Sequence, residues 1–284
     1  MSEALADSPI AHVSDTALWV AAFRAEESER PDALFRDPLA ARLAGDDGRR
    51  IARTMPNATK TRWSVGVRTV VIDELIHDAI DEGVDTVLNL GAGLDTRPYR
   101  LEVPPSLRWV EVDYPRVVDL KEQRLGDVNA RCRLERNALD LTDVTARRAL
   151  FEALGTASSK TLVLTEGLVP YLSIDEAASL ADDVRAQRAF SLWITDYFAP
   201  ELLRYMKRRP QLRNAPFRFD PPDWERFFAE HRWRAREMKY LGEQSERLGR
   251  TPPLGLTVRV LSIFKPSLRT KVLKMTGYAL LEAV

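Results

Sequence analysis

The sequence is short of the groups that most often carry chemistry. It has one cysteine, Cys132, so no disulfide framework forms within the chain, and that thiol reads as a small buried hydrophobe of a strand. It has three histidines, His12, His77 and His231, and none ends a predicted strand, where a general base is usually mounted. No group of residues reads as a metal site. No apolar run approaches the roughly 18 residues that span a bilayer. The N-terminal Met1-Ser-Glu-Ala-Leu-Ala-Asp7 lacks a basic region followed by an apolar run, so no secretory signal is read and a soluble cytoplasmic protein is expected. There is no charge excess either. Lysine plus arginine and aspartate plus glutamate both number 42, which argues against a nucleic-acid or membrane-surface role. Internal repeats and low-complexity segments are missing too.

What is present is an ordinary hydrophobic fraction of 45% over 284 residues, enough for one sizeable core. The chain is organised around Asp85-Thr-Val-Leu-Asn-Leu-Gly-Ala-Gly-Leu-Asp-Thr-Arg97. Val87 to Leu90 is a short apolar run closed by glycines, the pattern of a parallel strand buried on both faces. Further strands are expected at 107–113, 132–135, 162–166 and 191–197. Helices are expected at 62–82, 115–125, 143–154 and 175–188. Strands and helices alternating in this way imply a doubly wound α/β fold with a mostly parallel sheet. Trp233 to Tyr240 and Met275 to Val284 are expected to add outer strands, for seven in all. Before the sheet, a helix over 14–28 and a short helix ending near Ala44, closed by Gly45 and Gly48, are expected to cover the ligand edge. Four stretches follow: an N-terminal helical cover (14–61), a ligand-binding core (62–199), a substrate lid (200–231) and C-terminal strands and helices (232–284). Residues 241–264 are ambiguous, and residues 1–13 read as loosely attached.

In an open α/β sheet the ligand lies beyond the carboxyl ends of the strands. Gly91 and Gly93 stand at such an end and open like a dinucleotide loop, but the position of the third glycine holds Thr96. That lowers the case for a pyrophosphate and suits a nucleoside without phosphates, such as S-adenosylmethionine. Asp113 ends the second strand, 22 residues past Gly91, where a carboxylate accepts ribose hydroxyls. The competing role is a surface acid that caps the next helix. Asp140 and Leu141 follow the third strand, where an adenine would lie, and Asp140 is equally placed to cap a helix. Glu166 ends the fourth strand, facing the amino-acid end of such a ligand. Arg68 shares the inward face of its helix with Ile72 and Leu75. A buried arginine needs an anion, either the ligand's carboxylate or a protein acid such as Asp95 or Glu166.

Three motifs taken together resemble the leucine carboxyl methyltransferase family, and more closely its bacterial branch with polyketide-type carboxyl O-methyltransferases. They are Val87-Leu-Asn-Leu-Gly-Ala-Gly-Leu-Asp-Thr-Arg97, Trp109-Val-Glu-Val-Asp-Tyr-Pro115 and Thr165-Glu-Gly-Leu-Val-Pro-Tyr-Leu172. The segment from Thr16-Ala17 to Leu34-Phe-Arg-Asp-Pro38 fits the same branch, and the similarity covers most of residues 14–200. The resemblance implies a class I methyltransferase using S-adenosyl-L-methionine and making methyl esters or ethers. It implies cofactor contacts at Arg68, Gly91, Gly93, Asp113, Asp140, Leu141 and Glu166. Ala92 and Tyr114 join them as neighbours, and Arg24 stands nearest to a lysine that touches the cofactor in eukaryotic members.

The expected function is therefore methylation of a small-molecule carboxylate, in secondary metabolism. A carboxylate is already ionised at pH 7 and needs no base. Methylation of a phenol or alcohol is the alternative, with Tyr171 or His231 as base. A non-catalytic nucleoside-binding protein and a nicotinamide-dependent oxidoreductase are the other readings. The basic cluster Arg204, Lys207, Arg208, Arg209, Arg213 and Arg218 reads as recognition of an acidic substrate or as a solvated helix face. Tyr197, Phe198, Tyr205, Phe217 and Phe219 read as a pocket above the methyl donor or as lid core.

Overall fold

The computed structural model describes residues 15–55, 57–207, 216–255 and 265–284. Seven strands form one sheet: β1 (Thr86–Leu90), β2 (Arg108–Asp113), β3 (Arg133–Ala138), β4 (Thr161–Thr165), β5 (Phe190–Phe198), β6 (Trp233–Tyr240) and β7 (Thr276–Ala283). Their order is β3-β2-β1-β4-β5-β7-β6, and only the pairings of β7 with β5 and β6 are antiparallel. The strand order reverses direction at β1 and β4, which places a crevice beyond their carboxyl ends.

Each central strand is buried on both faces, and alternate residues feed two cores. Leu88, Leu90, Val110, Val112, Val163, Trp193 and Leu281 face one. Helices α6 (Val144–Ala157) and α7 (Ile174–Arg185) cover that side. Val87, Trp109, Leu162, Leu164, Ile194 and Leu280 face the other, covered by α3 (Ala58–Asp81). The inward stripe of α3, Ile72, Leu75, Ile76 and Ala79, is the one that helical spacing predicts. A third core joins α1 (Asp15–Ser28) and α2 (Ala40–Thr54) to α5 (Pro115–Leu125). There Ala17 comes within 3.4 Å of where a Cβ on Gly93 would lie, so α1 runs over the glycine loop. The one-turn helix α4 (Arg97–Arg100) follows that loop.

Several expectations are corrected. The second helix does not close at the glycines but runs to Thr54, because Gly45 takes a left-handed φ of 58° and bends the helix without ending it. Strand β3 extends to Ala138, and α6 passes Gly155 and ends at Ala157. The expected lid also divides. Helix α8 (Pro200–Lys207) opens it, while α9 (Trp224–Glu230) buries Phe228 against Trp193, with Phe227 beside it, and packs into the core. The ambiguous stretch begins as α10 (Leu241–Arg247), and α11 (Pro266–Leu273) precedes β7. The expectations for 1–13, for a helix beginning at Ser14, and for Arg208, Arg209 and Arg213 lie outside the described residues. No described helix is long and apolar enough to cross a membrane.

Gly277 stands inside the final strand for a packing reason. A Cβ there would lie 2.5 Å from the carbonyl oxygen of Lys239 on β6. Gly277→Ala is expected to cost about 1–3 kcal/mol by forcing β6 away from β7. Urea denaturation reads this directly, and an unchanged midpoint would show that β6 withdraws freely.

Candidate active site

A cavity of about 320 Å³ lies beyond the carboxyl ends of β1, β2 and β4. Its floor is the glycine loop. Gly91 and Gly93 have φ of 67° and 50°, conformations that side chains rarely take, and both line the cavity, while the Gly91 and Ala92 amides donate to the Val112 carbonyl. Gly93 donates its N–H to Asp113 Oδ2 at 2.6 Å, and Tyr114 donates its own to Oδ1 at 2.7 Å. Burial raises the Asp113 carboxyl above its usual range, against these two amides. Asp113 therefore turns back onto the loop at the cavity wall, beside a part-exposed Tyr114.

The wall past β3 is Leu139, Asp140, Leu141 and Thr142. Asp140 does not cap α6, since Asp143 does that by accepting from the Ala146 amide at 3.0 Å. Asp140 instead accepts from the amide and hydroxyl of Thr142, at 2.9 and 2.8 Å, and stays exposed.

Opposite stands a buried ion network. Glu166 follows β4 and binds two guanidiniums, Arg68 Nε at 2.9 Å and Arg97 at 2.7 Å. Burial alone would raise the Glu166 carboxyl, but Arg97 and then Arg68 outweigh it and hold it low. The Arg68 contact is close but out of line, and its buried Nε has no aligned hydrogen-bond acceptor. Of the two partners weighed for Arg68, the structure shows a protein acid, Glu166, not Asp95. Asp95 belongs to Arg97, at 3.0 Å, and accepts from Asn89 at 2.9 Å.

Arg97 was not singled out from sequence, yet it is 2% exposed and also reaches Asp73 on α3, at 2.7 Å. Asp196, also missed, lies in β5 two residues before its end and accepts from the Gly167 amide at 2.9 Å. Its place inside a strand, on the face that alternation turns inward, gave no strand-end signal of the kind that picked out Asp113 and Glu166. Arg24 lines the cavity but is committed elsewhere. It binds Asp37 at 2.9 Å and the Leu94 carbonyl at 2.5 Å. Thr96, in place of a third glycine, donates its hydroxyl to the same Asp37 at 2.6 Å.

The two candidate bases separate. Tyr171 lines the cavity, hydrogen-bonds Thr16, and stands edge-on to Phe217 with ring centres 5.2 Å apart. Burial pushes its hydroxyl up to about 12. His231 is a correction. It closes α9, faces Asp182 at 2.8 Å on the α7 side, and is not among the described lining residues. The five aromatics expected over the methyl donor are not among them either. Phe217 and Phe198 stack behind Tyr171, Phe219 is core, and Tyr197 packs on Trp224 and Tyr240. From the basic cluster, Arg218 reaches the cavity rim and pairs with Glu176 at 3.1 Å, while Lys207 pairs with Asp220. Cys132 is half-buried, just before β3, and burial raises its thiol to about 11.

A family model described as leucine carboxyl methyltransferase matches residues 17–185. A protein of Parafrankia sp. (strain EAN1pec), provisionally named an S-adenosyl-L-methionine-dependent methyltransferase, is 33% identical over 248 residues, 80% of this chain and 79% of that one. One of the same provisional name from Streptomyces coelicolor is 37% identical over 184 residues, 61% of this chain and 65% of its own. Two solved structures share the fold at low identity. A putative methyltransferase from Thermobifida fusca YX superposes with a TM-score of 0.59 at 14% identity, covering 98% of this chain and 96% of that one. A DUF574 family protein from Streptomyces avermitilis superposes at 0.54 with 17% identity, covering 93% and 97%.

Removing Arg97 would leave Asp95 without its cation and would leave Glu166 to Arg68 alone and Asp73 to Arg100, which it meets at 2.6 Å. Arg97→Met is expected to cost about 3–5 kcal/mol, because acids left buried without their cation are heavily penalised. Chemical denaturation measures the loss. A change below about 1 kcal/mol would show that Arg68 and Arg100 suffice for these acids.

Proposed function

The chain belongs to the leucine carboxyl methyltransferase family and is an S-adenosylmethionine-dependent methyltransferase, and from that premise we propose that it makes a methyl ester on a small-molecule carboxylate. When bound, S-adenosylmethionine supplies an electrophilic methyl group on a cationic sulfur. The residues around the cavity fit it. The Arg68 guanidinium, at the cavity wall, would offer charged donors to the ligand's carboxylate, and Glu166 would offer an acceptor to its ammonium. Gly91, Ala92 and Gly93 let the ligand approach the backbone. Asp113, with Tyr114 beside it, would take the ribose hydroxyls. Asp140 would take the adenine amine, and Leu141 would pack on the ring. Arg24 would act indirectly, by fixing the Leu94 carbonyl behind the loop. A cavity of about 320 Å³ is in the range of small-molecule sites.

The observation that carries the choice of a carboxylate is the protonation state of the cavity wall. A hydroxyl acceptor needs a base with a pKa near working pH. Tyr171 is pushed up to about 12, so it stays protonated. Glu166 and Asp95 are held low by guanidiniums and Glu176 by its helix cap, which makes all three poor bases. Asp113 stands at the ribose end. A carboxylate acceptor arrives ionised, and what it asks of the protein is orientation beside the methyl group. Trp19, Val20, Leu168, Leu172 and Tyr171 give that part of the wall an apolar character. This favours an acceptor with a hydrophobic body.

Asp113→Ala is expected to weaken S-adenosylhomocysteine binding about tenfold or more, the loss of a charged hydrogen-bond acceptor. Titration calorimetry tests this, and unchanged affinity would place the ribose elsewhere. With labelled methyl donor, hydrophobic carboxylic acids should accept label while the matched phenols do not. At saturating donor, kcat should be flat from about pH 6 to about pH 8. Transfer to phenols alone, rising with pH, would overturn the ester proposal.

A further inference from the structure

One buried acid at the ligand end of the sheet has no part in the chemistry above. Asp196 is 4% exposed. In the parallel register Thr165 pairs with Thr195, so Glu166 and Asp196 stand one residue further on, Glu166 just past the end of β4 and Asp196 beside it within β5. In the antiparallel register Asp196 pairs with Tyr278. Alternation puts Asp196 on the same face as Leu192 and Ile194, and Tyr278 with Leu280, the face that α3 covers. Arg68 projects from α3 at this level and already touches Glu166. The Tyr278 hydroxyl and the Gly167 amide both hydrogen-bond the Asp196 carboxyl.

The charge of Arg68 thus acts on two carboxyl groups, Glu166, which it touches, and Asp196. Arg68, Arg97 and Arg100 are already matched by Glu166, Asp95 and Asp73, so an ionised Asp196 would add an unmatched negative charge beside Arg68. We propose that Asp196 is a positioning residue that sets the charge of the pocket for the cofactor's amino-acid end. Neutral, it leaves Arg68 for the ligand's carboxylate; ionised, it competes for that guanidinium and repels the ligand. The proposal rests on the reading that Arg68 holds that carboxylate.

The surroundings of Asp196 put its proton in the useful range. Burial raises its carboxyl to about 7, against Arg68 from α3, the Gly167 amide and the Tyr278 hydroxyl, while Glu166 adds to the rise. Tyr171 is the further titratable group in range, and its hydroxyl stays protonated at neutral pH. The sign follows. Asp196 carries its proton below about pH 7 and loses it above, so affinity for a ligand with a carboxylate falls as pH rises. By linkage, binding above that pH draws a proton onto Asp196.

The experiment compares S-adenosylhomocysteine with 5′-methylthioadenosine, which has the nucleoside but no amino-acid end, by calorimetry of the full chain. From about pH 6 to about pH 8, homocysteine-ligand affinity should fall about tenfold as the competent fraction falls, while methylthioadenosine affinity stays level. Asp196→Asn, which mimics the neutral acid, should keep its acid-side affinity at both pH values. Repeating the titration near pH 8 in buffers of different ionisation enthalpy should show close to one proton taken up per S-adenosylhomocysteine and none per methylthioadenosine. That arm needs no variant. A level profile in the unmodified protein overturns the proposal, as does an equal slope with methylthioadenosine or an undiminished slope in Asp196→Asn. Arg68→Gln should lose about tenfold for the homocysteine ligand and keep methylthioadenosine. If it loses neither, the reading of Arg68 fails; if it behaves as expected and the pH slope is absent, only the role of Asp196 fails.

Discussion

Two guanidiniums sharing one buried carboxylate hold the ligand end of this molecule together. Glu166 comes from the end of β4, Arg68 from α3, and Arg97 from the turn after β1. Three elements far apart in sequence are thereby tied at one point. Charges taken out of water this far are tolerated only with partners in place, so the pairing is forced as much as favoured. Arg97 extends it to Asp73 and Asp95, and Asp95 accepts from Asn89 on β1. Arg68 lines the cavity, with its Nε beside Glu166 but out of line for a hydrogen bond. The network is therefore both a structural tie and the source of the charge that a zwitterionic ligand would meet.

The N-terminal helices depend on a second, smaller knot. Asp37 accepts from Arg24 on α1 and from Thr96 in the loop turn. In a dinucleotide loop the third glycine clears space beneath a pyrophosphate. Here the threonine in that position uses its hydroxyl to anchor the cover, and Arg24 holds the Leu94 carbonyl from the same side. The departure from a dinucleotide loop and the attachment of α1 are thus one feature. With α1 in place, the cavity has an apolar wall of Ala17, Trp19 and Val20 above its polar floor.

Elements with an apolar rhythm of their own were legible before any coordinates. The buried strands, the α3 stripe and the strand-end acids Asp113 and Glu166 follow from local pattern, and the cavity gathers those acids with the glycine loop. Other features had no local pattern to read. Gly45 reads as a stop, and only the packing of α2 against α1 shows that it is a bend. The aromatics after Pro200 are spaced for either a lid or a core. Their facing depends on β5 and β6, which place Phe228 against Trp193 and leave Phe217 behind Tyr171. Arg97 escaped because a loop has no periodicity to say that a side chain points inward, whereas Arg68 sits on a helix that does. His231 looked available only because its partner, Asp182, is 49 residues away in sequence.

The sequence by itself determined the layered α/β architecture, the place of the ligand loop and the class of ligand, because periodic burial, glycine backbone freedom and strand-end carboxylates are properties of neighbouring residues. Only the tertiary structure decided how the charges are divided. Which acid Arg68 faces, which of Asp140 and Asp143 caps a helix, and that Asp196 lies beside Glu166 all depend on strand register and on the height of α3 above the sheet. Those distances are set by packing the whole core, and no single segment contains them.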